Sequence, residues 1–176
     1  TAPAGYALDS SVQSFTVTAG QNTALSVSDT PTNDPVRISI NKVDSETGDK
    51  VQGGASLENA EFTVKYYAGY YNAGNLPANA TRTWVIKTLK TAGGNYMAAL
   101  NNTCKVSGDD FYKVSNGTVV LPLGTISIEE TKAPEGYNLD GAYLQVGGVG
   151  EKITGKYVAQ ITQNGNLAQL KGGNTF

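Results

Sequence analysis

The stretch Val36-Arg37-Ile38-Ser39-Ile40-Asn41-Lys42-Val43 alternates apolar and polar side chains, which is the pattern of a β-strand. Successive side chains of a strand face opposite sides, so Ile38, Ile40 and Lys42 share one face. The opposite face carries Arg37, Ser39 and Asn41. We therefore expect the Lys42 amine at the end of an apolar stripe, directed toward the protein interior.

Two further predicted strands place an acid and an amide on the same face as their apolar side chains, as the first strand does for Lys42. In residues 125–130, Ile126, Ile128 and Glu130 share one face. Near the end of the chain the shared face carries Ala168, Leu170, Gly172 and Asn174. A bulge at Gly172-Gly173 would turn Asn174 to the other face, so this register is open at the level of sequence.

An amine, a carboxyl group and a carboxamide in one dry interior can condense. Burial favours the neutral form of each ionisable group, which gives a nucleophilic Lys42 amine and a protonated Glu130. Glu130 could then hydrogen-bond the Asn174 carbonyl and relay protons while ammonia leaves. Taken singly, Lys42 could instead extend into water and Glu130 could be a rim residue.

Composition and strand pattern predict an all-β, Greek-key β-sandwich. The chain has 21 glycines and 10 tyrosines, and no segment has the pattern of a long amphipathic helix. The region 68–102 is less regular and is expected to hold a loop or a short helix. Further strands are predicted at residues 60–67, 83–89, 111–114, 117–121, 157–161 and 167–171.

An internal repeat predicts the domain organisation. The motif Ala2-Pro3-Ala4-Gly5-Tyr6-Ala7-Leu8-Asp9 recurs as Ala133-Pro134-Glu135-Gly136-Tyr137-Asn138-Leu139-Asp140, with six of eight positions identical. Residues 1–33 are therefore interpreted as the C-terminal portion of a preceding repeat plus a Pro-rich linker, and residues 34–176 as a complete domain. The alternative is that residues 1–33 belong to one larger sandwich.

Several function classes are disfavoured by composition. A net charge of −2 provides no basic surface for nucleic acid. The absence of histidine, with Cys104 as the single cysteine, argues against Ser-His-Asp and Cys-His catalysis and leaves no cofactor or metal expected. With no long apolar run, signal peptide or anchor, we expect an interior or processed fragment that does not span a membrane.

Three motifs resemble the CnaB-type, or SpaA-like, isopeptide-forming domains of Gram-positive pilins and adhesins. They are Ile38-Ser39-Ile40-Asn41-Lys42-Val43-Asp44, Leu121-Pro122-Leu123-Gly124-Thr125 and Glu130-Thr131-Lys132-Ala133-Pro134-Glu135-Gly136-Tyr137. The resemblance implies a prealbumin/Ig-like sandwich in which Lys42 donates the amine, Glu130 is catalytic and Asn174 is the acceptor.

The resemblance is weakest at the acceptor. Phe176 stands where the family has proline after Asn-Thr, so Asn164 and Asn166 are kept as alternative acceptors. In the partial repeat, Asp29 occupies the position that corresponds to Asn174. There it would form an amide with a lysine outside this chain, with loss of water.

The expected function is structural. The resemblance implies an extracellular stalk or pilus domain at the cell surface or cell wall, with single-turnover bond formation and no enzymatic activity. Its partners would be neighbouring domains or subunits of the same surface protein or pilus, and a host ligand is a further candidate partner. The rival function is a ligand-binding adhesin with an exposed aromatic surface, and a reactive Cys104 is a weaker alternative. The aromatic surface would comprise Tyr66, Tyr67, Tyr70, Tyr71, Trp84 and Tyr96.

Overall fold

The structure is a computed structural model that describes residues 6–27, 29–34, 37–48, 51–162 and 168–175. Apart from one turn of 3-10 helix at Ala73–Asn75, its regular elements are all β-strands. Short strands are β1 Tyr6–Ala7, β2 Thr30–Pro31, β3 Asn33–Asp34, β7 Leu89–Lys90, β10 Leu121–Pro122 and β13 Ile153–Thr154. Longer strands are β4 Ile38–Asp44, β5 Glu61–Tyr67, β6 Arg82–Lys87, β8 Tyr96–Ala99, β9 Lys105–Gly108, β11 Gly124–Lys132, β12 Asn138–Val146, β14 Lys156–Ile161 and β15 Ala168–Thr175.

Two sheets form the body of the protein. One has the strand order β14-β11-β5-β6-β9 and the other β13-β12-β15-β4-β8-β7. Within them β15 and β4 pair in parallel, while the other described pairs are antiparallel. The first and last long strands therefore lie side by side at the centre of one sheet, and the all-β sandwich prediction is confirmed.

The core lies between the two sheets and contains the predicted apolar stripes. Ile38 and Ile40 of β4 and Ile126 and Ile128 of β11 are at most 2% exposed. On β5 the alternating side chains Phe62, Val64 and Tyr66 are also buried. Because each stripe follows the two-residue period of a strand, burial of one side chain fixes the direction of its neighbours. Side chains further along β4, β11 and β15 are thereby directed into the same interior.

Some predicted strands are wrong. Residues 111–114 and 117–121 form a tight hairpin with one bridge, Lys113 to Val119, and only Leu121 continues into a strand. Gly117, with a φ of 85°, closes the turn, and the backbone N–H groups of Val114 and Val120 donate to Thr118 and Tyr112 on either side of the bridge. Conversely, β12 is not among the predicted strands, because its register shifts between Asn138 and Tyr143 and its first half is exposed. The region 68–102 holds the short helix and also the whole of β6, β7 and β8.

The described part of the N-terminal segment is almost entirely exposed. Residues 6–27 bury no side chain, and β1 pairs only with β2. β3 pairs with β10, so residues 33–34 lie against residues 121–122. In the described ranges, no helix is long and apolar enough to cross a membrane.

Candidate functional site

Three strands bring together the lysine, the glutamate and the asparagine singled out in the sequence. The Nζ atom of Lys42 on β4 lies 2.6 Å from Oε2 of Glu130 on β11. The Nδ2 atom of Asn174 on β15 lies 3.4 Å from the other carboxyl oxygen, Oε1. Lys42 is 2% exposed, Glu130 9% and Asn174 0%, so the three side chains form a cluster in the core.

The register of β15 against β4 positions Asn174. The parallel pairing runs from Ala168 opposite Ile38 to Asn174 opposite Asp44 without a shift, so the asparagine keeps its predicted inward direction. Gly172 lies opposite Lys42 in this register and packs beside the lysine stem. A Cβ atom at Gly172 would lie 3.7 Å from Cδ of Lys42 and 3.5 Å from Leu144.

The dry surroundings shift both ionisable groups toward their neutral forms. Desolvation lowers the pKa of Lys42, and the nearby Glu130 carboxylate opposes this shift. Desolvation raises the pKa of Glu130, and the Lys42 charge opposes that shift in turn. The Lys42 nitrogen also lies 6.0 Å from the centre of the Phe62 ring, at the outer limit of a cation–π contact. Burial therefore moves both groups in the direction of an amine and a carboxylic acid.

The carboxamide of Asn174 is only partly satisfied. Its Oδ1 atom is buried without a hydrogen-bond partner in the part of the chain that the structure describes. The sequence argument placed Glu130 against the carbonyl of this group, whereas the structure has the amide nitrogen facing the acid. A half-turn of the carboxamide exchanges the two atoms and gives the carbonyl a donor. An unpaired buried acceptor costs free energy, so a hydrogen bond from a protonated Glu130 to this oxygen would be favourable.

Three residues around the cluster, Asp44, Tyr137 and Gln52, were given no role in the sequence analysis, although Asp44 and Tyr137 end two of the quoted motifs. Asp44 follows Lys42 by two positions on the same face, is 1% exposed, and accepts hydrogen bonds from the backbone N–H groups of Glu46 and Thr47. Its Oδ2 atom accepts further bonds from the Tyr137 hydroxyl at 3.1 Å and from Gln52 Nε2 at 3.2 Å. Asp44 continues the alternation of inward-facing side chains on β4 after Ile40 and Lys42, so the sequence could have predicted that it faces the interior.

The other candidate acceptors are not part of this cluster. Asp29 is half-buried in the segment before β2, and the described hydrogen bonds of the cluster do not include it. Asn164 and Asn166 lie outside the described residues. Within the described ranges, no three His, Cys, Asp or Glu side chains come together as metal ligands.

The proposed aromatic surface is wrong for most of its members. Tyr66, Tyr67, Trp84 and Tyr96 are buried, and only Tyr70 is strongly exposed. The strand period explains the difference, because Tyr66 and Trp84 face inward and pack against aromatic rings of the segment 111–112. Cys104 is also buried, which removes it from contact with solvent.

Comparison with known proteins identifies the fold family. A family model described as the SpaA prealbumin-like fold domain matches residues 36–160, a range that includes Lys42 and Glu130. No curated protein matches the chain. One similar solved structure, "The Bacillus anthracis TIE protein", is 23% identical with a TM-score of 0.41, and the alignment covers 99% of this chain and 23% of that one. The chain thus spans about a quarter of that structure's length. Because the family model matches well over half of its residues, the chain belongs to the SpaA family of prealbumin-like fold domains.

Proposed function

We propose that this protein is a structural stalk or pilus domain that closes itself with an amide bond between Lys42 and Asn174. The observation that carries the proposal is the buried cluster in which the Glu130 carboxyl group contacts both the Lys42 amine and the Asn174 carboxamide. A surface site for a soluble substrate would leave such groups open to water, whereas these three side chains are in the core. The cluster is therefore suited to a reaction within the chain.

The chemistry follows from the neutral forms of the groups. The lone pair of the Lys42 nitrogen attacks Cγ of Asn174, while the protonated Glu130 polarises the carbonyl oxygen. The lysine nitrogen then loses one proton and the departing Nδ2 group gains one, with Glu130 as the relay. The C–N bond to Nδ2 breaks, ammonia leaves, and an amide joins β4 to β15. Glu130 ends in its starting form, and the chain reacts once, so the protein is not a turnover enzyme.

The position of the bond suits a load-bearing role. Lys42 and Asn174 lie on the first and last long strands, which are adjacent and parallel at the centre of one sheet. Tension applied to the two ends of the domain would then pass through the amide between these strands. The ladder of hydrogen bonds between them would carry little of the load, and the segment between the two residues could not be extended.

The location and partners follow from the family. Domains of the SpaA family typify Gram-positive surface proteins and are parts of larger surface proteins or pili. We accordingly place this chain outside the cell, at the cell wall, with neighbouring domains or subunits of the same assembly as its partners and a role in cell adhesion. Burial of Tyr66, Tyr67, Trp84 and Tyr96 makes the alternative, an adhesin with an exposed aromatic surface, the weaker candidate.

The N-terminal segment belongs to the same proposal. Residues 1–33 would be the closing portion of a preceding repeat and residues 34–176 the complete domain. Tyr6 corresponds to Tyr137 by the internal repeat, and the exposed state of Tyr6, Leu8, Phe15 and Val17 is consistent with strands that lack their sheet partners. Asp29 would then accept a lysine amine from that preceding repeat, with water as the leaving group.

Intact mass spectrometry tests the proposal. The unsubstituted chain is expected to be lighter than its sequence mass by one ammonia. Lys42→Ala and Glu130→Ala should each restore the sequence mass expected for that variant. Lys132→Ala is the matched control, because Lys132 also pairs with a glutamate but its side chain is 61% exposed. The control should keep the deficit, and an unsubstituted chain at its full sequence mass would refute the bond.

A further inference from the structure

Asp44 and Tyr137 form a second buried contact between the strands that supply the reacting groups. Asp44 ends β4, two positions after Lys42, and Tyr137 follows β11, seven positions after Glu130. The Tyr137 hydroxyl donates to Oδ2 of Asp44 at 3.1 Å, and its ring packs with Leu57 and Tyr96 in a small core of its own. The contact therefore ties the segment after the acid to the strand that carries the amine.

The same end of β4 also holds the strand of the acceptor. Asp44 lies opposite Asn174 in the parallel register, and the backbone N–H of Ser45 donates to the Asn174 carbonyl at 2.9 Å. The position of the Asn174 backbone thus depends on the turn after β4. That turn is fixed by Asp44, whose Oδ1 atom accepts from the N–H groups of Glu46 and Thr47.

Asp44 is a second buried acid near the cluster, and its pKa is shifted in the opposite direction to that of Glu130. Burial opposes its ionisation, but the hydrogen bonds from Glu46, Thr47, Tyr137 and Gln52 outweigh it and hold the Asp44 pKa below its ordinary value. Desolvation and the neighbouring carboxylate raise the pKa of Tyr137 to about 12, so its hydroxyl keeps the proton that it donates. The pKa values of Asp44 and Glu130 are therefore shifted in opposite directions, because Asp44 accepts more hydrogen bonds than Glu130 does.

We propose that Asp44 and Tyr137 are positioning residues for amide formation. Their hydrogen bond holds the end of β11 against the end of β4 and so aligns the Lys42 amine, the Glu130 carboxyl group and the Asn174 carboxamide. This inference rests on the proposed function. The described side-chain hydrogen bonds of Asp44 and Tyr137 join the two residues to each other and to residues 46–52, so their effect is on how often the three groups reach reacting distance. The alignment matters because small displacements of reacting groups slow a reaction strongly.

Tyr137→Phe tests the inference by removing the hydroxyl and leaving the ring. The full chain is made by cell-free synthesis, samples are taken at intervals, and the fraction that has lost ammonia is read from intact mass. Removal of a hydrogen bond to a buried charge is expected to slow ammonia loss about tenfold. Tyr96→Phe is the matched control, because Tyr96 packs in the same small core but its hydroxyl has no hydrogen bond among the described residues.

A second measurement separates positioning from stability. The same time courses are repeated with sucrose, which stabilises folded proteins without restoring a missing hydroxyl. A slow Tyr137→Phe rate that sucrose leaves unchanged supports positioning. A rate equal to that of Tyr96→Phe, or one that sucrose restores, overturns it. If the unsubstituted chain never loses ammonia, the amide bond itself is refuted, which is a different outcome from normal bond formation in Tyr137→Phe.

Discussion

Replacement of Lys42 by methionine should remove the amide bond and keep the shape of the buried side chain. The bond would close a loop of about 130 residues, for which loop-closure entropy gives a stabilisation of about 5 kcal/mol. Methionine follows the path of the lysine stem in the space beside Gly172 and places no charge next to Glu130. The free energy of unfolding of Lys42→Met is therefore expected to fall by about 5 kcal/mol, or about 10 to 20 °C in Tm for a domain of this size.

Guanidinium and thermal unfolding, followed by circular dichroism, measure this difference. The m-value of the unsubstituted chain should be the smaller one, because a cross-linked unfolded state exposes less surface. Lys132→Met is the control, since the exposed pair of Lys132 with Glu61 is worth at most about 1 kcal/mol. Glu130→Gln keeps the lysine but should block the reaction and cause a loss of the same order. Equal unfolding curves for the unsubstituted chain and Lys42→Met would refute the reasoning.

Two further predictions concern pH and backbone packing. In Lys42→Met, burial holds the Glu130 pKa above its ordinary value of 4.5, so the unfolded state releases its proton first and stability should fall as pH rises above that value. In the double variant Lys42→Met/Glu130→Gln, the free energy of unfolding should no longer fall with rising pH. If it still falls, a group other than Glu130 causes the pH dependence. Gly108→Ala should destabilise the protein by several kcal/mol, because φ is 106° and a Cβ atom would lie 2.3 Å from the Thr83 carbonyl oxygen. Gly117→Ala is the control for backbone strain alone, because Gly117 has a φ of 85° but open space around the new methyl group. Equal losses of stability in the two variants would show that the contact with Thr83 adds nothing.

The part of the fold that follows strand periodicity could be predicted from sequence. Ile38 and Ile40 fix the direction of Lys42, and Ile126 and Ile128 fix that of Glu130, because the side-chain period of a strand is two. The same period also placed Asn174 inward, although only the structure establishes that β15 passes Gly172 and Gly173 without a shift against β4.

Features that depend on pairing between distant segments could not be predicted. β12 has its register shift next to Gly141, so its sequence lacks the alternation of a strand. Burial of Trp84 and Tyr66 depends on the hairpin around Gly117 that brings Phe111 and Tyr112 over them. The contact of Tyr137 with Asp44 joins residues far apart in sequence, and neither residue alone carries a signal for it.

Peptide mapping by tandem mass spectrometry tests the central claim most directly. After digestion of the unsubstituted chain, the peptide that contains Lys42 should be recovered joined to the peptide that contains Asn174, with the fragment ions placing the link at those two side chains. The joined species should be absent from Glu130→Gln. Recovery of the two peptides only as separate species, each at its full sequence mass, would contradict the account.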